Sequence, residues 1–193
     1  SAASDVYKRQ VFKKAGELGL IGMSTPEAYG GGGEMDFRYN QVLNEELSNA
    51  DCGSIVVSFG VLNDLVAPYL AKFGNEEQKQ KYLASMNAGD TIGCLAMTEP
   101  GAGSDLAGMR TFAKKDGDHY VLNGTKIFIS NGMMADFALV AAITDPSKGR
   151  AGVSMFIVDA DLEGFTKAGP LQKVGLKAQD TAELNFDNCL LYT

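Results

Sequence analysis

The sequence predicts an α+β fold: an N-terminal all-helical domain over residues 11–90, then an antiparallel β-domain over residues 91–188. Three observations carry this reading. Apolar residues recur at helical spacing as far as residue 90. Near residue 91 the pattern changes to short apolar runs. Those runs are closely spaced and divided by Gly, Asn and Asp turns, as in an antiparallel sheet or barrel.

The helical elements follow in order. Val11 to Leu20 sets Val11, Phe12, Ala15 and Leu18 on one face, and Gly19 and Gly22 break it. Ser24 to Glu34 is a loop holding Pro26 and the run Gly30 to Gly33. Asp36 can cap a helix that aligns Tyr39, Leu43 and Leu47. Ser54 opens a more apolar helix with Val57, Val61, Leu65 and Tyr69, apolar most of the way round and therefore buried. Pro68 should kink it or mark its last turns, and Gly74 stops it. Asn75-Glu76-Glu77-Gln78 reads as a capping box ahead of Tyr82, Leu83 and Met86, with Gly89 as the end.

The strands come next. Ile92 to Met97 is a short apolar run. Thr111 to Lys114 and Tyr120 to Leu122 flank Asp116-Gly117, a hairpin signal. Asn123-Gly124 is a second hairpin signal, and the turn reading outweighs the glycosylation sequon that Asn123-Gly124-Thr125 also spells. Lys126 to Ser130, Phe137 to Thr144, Val153 to Asp159 and Ala182 to Phe186 read as strands.

Composition excludes several function classes. The net charge is −7, from 17 basic and 24 acidic residues, which argues against nucleic-acid binding. No uninterrupted apolar run reaches the ~18 residues expected of a membrane span. Three cysteines without a CxxC pair exclude a disulfide scaffold, and one histidine excludes a multi-histidine metal centre.

The two ends look foreign to the rest. Asp5 to Gln10 back-translates as GAT GTG TAT AAG AGA CAG. Its reverse complement, read one base in, gives TGT CTC TTA TAC ACA, which encodes Cys189 to Thr193. One short DNA resembling a transposase-type sequencing adapter therefore accounts for residues 1–10 and 189–193, and the expected native segment is 11–188. On that expectation both true termini lie elsewhere, and the ends say nothing about targeting.

The densest loop is Thr98-Glu99-Pro100-Gly101-Ala102-Gly103-Ser104-Asp105. Gly101 and Gly103 permit close approach of backbone to a ligand, and successive N–H groups can form an anion nest. It is neither a GxGxxG before a helix nor a P-loop, and on spacing alone a plain turn stands beside the nest. Glu99 is held in a turn by Pro100 and reads as structural, not as a general base. Cys52 and Cys94 read as small buried apolar residues, His119 as a solvated side chain and Lys114-Lys115 as an exposed edge. Nothing forms a Ser/His/Asp triad or a carboxylate pair.

Residues 95–105, Leu-Ala-Met-Thr-Glu-Pro-Gly-Ala-Gly-Ser-Asp, closely resemble the signature loop of the acyl-CoA dehydrogenases. The resemblance continues through Leu122 to Gly132, Pro26 to Gly31 and Phe73 to Lys79. Gly175 to Leu184 looks most like the long-chain-type branch. These motifs stand in family order across residues 11–188. The family has an N-terminal helical domain, a middle β-domain and a C-terminal four-helix domain. The chain stops before the third, where the family carries its catalytic glutamate, so no catalytic base is expected here.

The resemblance implies FAD as cofactor and Leu95, Ala96, Met97, Thr98, Gly103, Ser104, Phe128, Ile129 and Ser130 as residues that line it. It places the Thr98 hydroxyl at the pyrimidine side of the flavin, and Gly103 and Ser104 at the diphosphate. Ser104 would also touch the CoA portion of the substrate. Phe128 stands where many members have tryptophan, and Ser130 where many have threonine near flavin N5. The implied reaction is α,β-dehydrogenation of an acyl-CoA thioester in fatty-acid β-oxidation. The implied partners are acyl-CoA, an electron-transfer flavoprotein and further copies of the chain in a tetramer or dimer. The implied location is the cytoplasm in a bacterium and the mitochondrial matrix in a eukaryote. Two other readings stand beside it: an oxygen-using acyl-CoA oxidase or flavin hydroxylase relative, and a non-catalytic acyl-CoA- or protein-binding module.

Overall fold

The computed structural model describes residues 2–192, with side chains from residue 9 onward. The chain divides into two compact units. One comprises the residues up to Gly93 together with Val174–Gln179; the other comprises Cys94–Lys173 together with the residues from Asp180 on.

The first unit is helical. Helix α1 (Ala2–Glu17) buries Phe12 and Ala15, and the Phe12 ring meets Phe59 edge-on at 5.4 Å. Val11 and Leu18, expected on the same face, are 38% and 60% exposed. Leu18 lies past the last helical residue, where Gly19 turns the chain at φ 70°. The chain then folds back over residues 20–34. Here Asn63 acts as a bracket: its Oδ1 accepts from the Gly22 N–H at 2.8 Å and its Nδ2 donates to the Leu20 carbonyl at 3.0 Å. A buried amide side chain thereby replaces the backbone partners this loop lacks.

Helix α2 (Arg38–Asn49) begins where the Asp36 carboxylate accepts the Arg38 N–H at 3.0 Å. Its inward edge is Asn40, with Leu43 and Leu47 half-buried, while Tyr39 is 54% exposed and leaves the apolar face the spacing suggests. Helix α3 (Gly53–Phe73) buries Leu62, Val66 and Leu70. Its Val61–Val66 stretch is π-helical and lies just ahead of Pro68. A wider turn there relieves the clash a proline ring makes with the carbonyl four residues back. The helix therefore runs on to Phe73 and does not break at Pro68. By length and hydropathy it could cross a bilayer, but it carries Asn63 and Asp64 into protein contacts and is the core helix of this unit. The last helix, α4, spans residues 76–87. Its capping box is formed in full: Gln78 N–H donates to Asn75 Oδ1 at 2.8 Å, and Asn75 N–H donates to Gln78 Oε1 at 3.0 Å.

The second unit is a seven-stranded sheet in the order β1-β4-β2-β3-β7-β6, with β5 paired to β4. The strands are β1 (Gly93–Ala96), β2 (Phe112–Asp116), β3 (His119–Ser130), β4 (Phe137–Ile143), β5 (Val153–Asp159), β6 (Phe165–Ala168) and β7 (Thr181–Tyr192). The pairings of β2 with β3, β3 with β7, β4 with β5 and β6 with β7 are antiparallel; β2 meets β4 in parallel at Phe112 and Ile143. Asp116-Gly117 forms the expected hairpin, with Gly117 at φ 58°. Asn123-Gly124 does not turn the chain. It lies inside β3 at a register shift against β7, and Gly124 takes φ 147° beside Thr111. A Cβ at Gly124 would stand 2.7 Å from the Thr111 Cα, so glycine serves here as a bulge that admits a crossing backbone.

Strand β6 falls where no strand was expected, between Gly164 and Gly169. Its core contribution is Phe165, stacked on Phe186 at 4.8 Å. Strand β7 continues beyond Phe186, turning Cys189 and Leu191 inward and Leu190 and Tyr192 outward. The core gathers Ala96, Leu122, Ile129, Val140, Val158, Leu184 and other apolar side chains. Cys94 is part of it, and burial pushes its thiol up to about 12. Cys52 is only half-buried, which departs from the expectation of a core residue.

Candidate functional site

The glycine-rich loop leaves the end of β1 and returns through a short 3-10 turn at Leu106–Gly108. Its start is a tight two-way bridge: Glu99 N–H donates to the Ala102 carbonyl at 3.0 Å, and Ala102 N–H to the Glu99 carbonyl at 3.1 Å. Its end is capped by Asp105, whose carboxylate accepts the Ala107 N–H at 3.1 Å. Between them Gly101 and Gly103 face open space, and a Cβ on either would touch nothing within 4 Å. No backbone bond engages the N–H of Gly103 or Ser104 among the described residues. Both amides are thus available to an anion.

The loop is tied to the bulged end of β3. The Ile127 N–H donates to the Thr98 carbonyl at 2.9 Å. Just beyond, Phe128 sits in the register shift between Lys126 and Ile129 at φ 61°, and the residue is 65% exposed. An exposed aromatic in left-handed backbone is costly twice over and points to a ligand-facing role. Ser130 and Thr98 are both half-buried hydroxyls on the described surface of this edge.

Underneath lies a buried ion pair. Lys126 Nζ donates to Glu99 Oε1 at 2.8 Å and to the Met97 carbonyl at 3.0 Å. Their side chains are 0% and 5% exposed. Glu99 also accepts the Arg110 N–H at 2.6 Å and the Thr111 N–H at 3.0 Å. Burial pushes the Glu99 carboxyl up, but Lys126 and the two amides outweigh it and hold the group below its ordinary value. Burial also pulls the Lys126 ammonium down, with Glu99 opposing. Glu99 is therefore an engaged structural carboxylate, in line with the role its turn position suggests. Sequence reasoning overlooked Lys126. The available signal was a lone charge inside the apolar strand segment Lys126 to Ile129, within reach of a motif acid.

The nine proposed cofactor residues divide into four groups. Thr98, Phe128 and Ser130 lie along one edge through the Thr98–Ile127 bond. Met97 and Ser104 line a cavity of about 460 Å³, together with Leu106, Met109, Ile143 and Arg150. Gly103 adjoins Ser104 on the open part of the loop, and Leu95 is half-buried on β1. Ala96 and Ile129 turn their side chains into the core, so only their backbone can reach a ligand. Arg150 is a cavity residue that the sequence gave no reason to single out. It arrives from the 3-10 segment Pro146–Gly152, where Gly149 takes φ 55°. Among the described residues no cluster of His, Cys, Asp and Glu is able to hold a metal ion.

Comparison with known proteins covers both units. Residues 2–90 match the acyl-CoA dehydrogenase N-terminal domain, and residues 94–189 match the acyl-CoA dehydrogenase middle domain. The long-chain specific acyl-CoA dehydrogenase of Sus scrofa mitochondria is 44% identical over 185 residues, covering 95% of this chain and 42% of the relative. A crystal structure of acyl-CoA dehydrogenase from Geobacillus kaustophilus superposes with TM-score 0.90 at 48% identity, covering 95% of this chain and 48% of that one. A glutaryl-CoA dehydrogenase from Mycobacterium smegmatis, solved in complex with FADH2, superposes with TM-score 0.87 at 38% identity, covering 95% and 46%. The chain thus spans about half the length of the relatives it matches.

Proposed function

The chain belongs to the acyl-CoA dehydrogenase family, and from that premise we propose that it is part of an FAD-dependent enzyme that α,β-dehydrogenates acyl-CoA thioesters. The observation that carries the reading is the edge built by the Thr98–Ile127 bond, which joins Thr98 to the strand segment that holds Ser130 and an exposed aromatic, Phe128, at positive φ. A flavin needs a flat apolar wall and donors at its polar rim, and these residues are of that kind. Two unengaged loop amides supply what a diphosphate needs.

When bound, FAD supplies the hydride acceptor. The ring of the exposed Phe128 would cover one face of the isoalloxazine and exclude water there. The Thr98 hydroxyl would donate at the pyrimidine side of the flavin, and the Ser130 hydroxyl would serve its N5 side. Leu95, Ala96, Met97 and Ile129 complete the lining, the two buried ones through their backbone. Gly103 and Ser104 would hold the diphosphate through their N–H groups. Ser104 also faces the cavity it shares with Arg150, whose planar guanidinium suits a phosphate of the CoA portion. The base that takes the α-proton is not Glu99, whose oxygens already meet three donors. It lies in a part of the protein beyond this chain.

Reduced enzyme passes its electrons to an electron-transfer flavoprotein, and the whole protein assembles as a tetramer or dimer. It works in the cytoplasm of a bacterium or the mitochondrial matrix of a eukaryote. We also propose that residues 1–10 and 189–193 derive from a sequencing adapter, a reading supported by the reverse-complement relation of Asp5–Gln10 and Cys189–Thr193. Sequencing the source locus without transposase tagging gives the whole reading frame. The protein it encodes is then mixed anaerobically with acyl-CoA of several chain lengths. Bleaching of the flavin's visible absorbance is the expected result. A flavin-loaded protein that no acyl-CoA bleaches overturns the reading, and rapid oxygen uptake after bleaching turns it into an oxidase.

A further inference from the structure

The Glu99–Lys126 pair has a use that packing alone does not explain. Replacing a buried ion pair by well-packed apolar residues of similar volume is often neutral or stabilising. Here Lys126 has two acceptors and Glu99 three donors, and these bonds do not hold neighbouring core elements in general. They run to chosen points of one edge. Lys126 holds the Met97 carbonyl, the residue before Thr98. Glu99, the residue after Thr98, holds the Arg110 and Thr111 amides where the loop returns to β2. Lys126 itself is two residues before Phe128, at the start of the bulge. Thr98 is thereby fixed from both sides, and the departure point of the strained Phe128 segment is fixed by the same ammonium.

We propose that Glu99 and Lys126 are positioning residues: together they clamp residues 97–99 to residues 126–130, and so hold Thr98, Phe128 and Ser130 in the register a flavin requires. They act through those residues and touch no ligand themselves. The inference rests on the flavin reading of this edge. A single buried charge shared by both ligand-facing segments makes their geometry one variable in place of two.

The test uses the full chain and the variants Lys126→Met, Lys126→Arg and Glu99→Gln. Val140→Ala, a core change in β4, serves as a control matched for lost stability. Two readouts are taken under conditions where every variant is folded by circular dichroism. The first is amide hydrogen exchange, which needs no cofactor. Lys126→Met and Glu99→Gln should release the amides of Ile127, Arg110 and Thr111 while β4 and β5 stay protected; Val140→Ala should not. The second is FAD titration by fluorescence quenching. The two clamp variants should bind at least about tenfold more weakly, the size expected for losing a hydrogen bond to a charged group, and the control should bind as the parent does. Lys126→Arg should recover part of the affinity. Exchange that rises evenly over the sheet, or equal loss of affinity in Val140→Ala, overturns the clamp. Selective exchange in the two clamp variants, with a parent chain that does not quench FAD, supports the clamp and overturns the flavin reading, so the two failures are told apart.

Discussion

The Ile127 N–H meets the Thr98 carbonyl at 2.9 Å, and this one backbone bond joins segments that the sequence separates by nearly thirty residues. The two segments proposed to line the cofactor are arranged about it. On one side is the open glycine loop, on the other the bulge that lifts Phe128 outward.

Phe128 pays for its position in backbone strain, since a bulky residue at φ 61° is disfavoured. Phe128→Gly should leave stability unchanged or raise it by about 1 kcal/mol, because glycine tolerates this conformation and the residue is mostly exposed. FAD affinity should fall in the same variant. Denaturant melts and flavin titration give the two signs; a variant that loses both stability and affinity contradicts the account.

Asn63 holds the Leu20–Gly22 turn from the π-helical part of α3. Asn63→Ala strands a buried N–H and a carbonyl and should cost about 2–4 kcal/mol. The measurement is the urea midpoint at unchanged slope.

Glu99 contributes a pH dependence whose sign follows from its geometry. Its carboxyl lies below the ordinary value when folded, so its contribution is complete above the unfolded-state value. That contribution disappears as the pH falls through the lower folded-state value. The Tm gap between the parent and Glu99→Gln should therefore be widest near neutrality and narrow in acid. A gap that widens in acid reverses the assignment.

The three cysteines should separate by reactivity. Cys94 is enclosed and its thiol is pushed up to about 12, and burial also raises Cys189. Cys52 is half-buried. Iodoacetamide on the folded chain should label Cys52 first and leave Cys94 untouched, while all three react in urea; peptide mass spectrometry reads the order.

What the sequence determined by itself was largely local. Periodicity separated helices from strands near residue 91 because 3.6 and 2 are different repeats. The capping box at Asn75 and Gln78 was legible because its partners are three residues apart. The loop at residues 95–105 was found because its chemistry is contiguous. Tertiary structure decided what depends on distant partners. Asn123-Gly124 has the composition of a turn, yet the β7 register and the approach of Thr111 make it a bulge inside a long strand. Lys126 is one residue of a strand until Glu99 is found 2.8 Å away, and Arg150 goes unremarked until it lines a cavity with Ser104. Local pattern fixes which backbone state a segment prefers. Which face it shows, and what its charges meet, is settled only when the chain closes on itself.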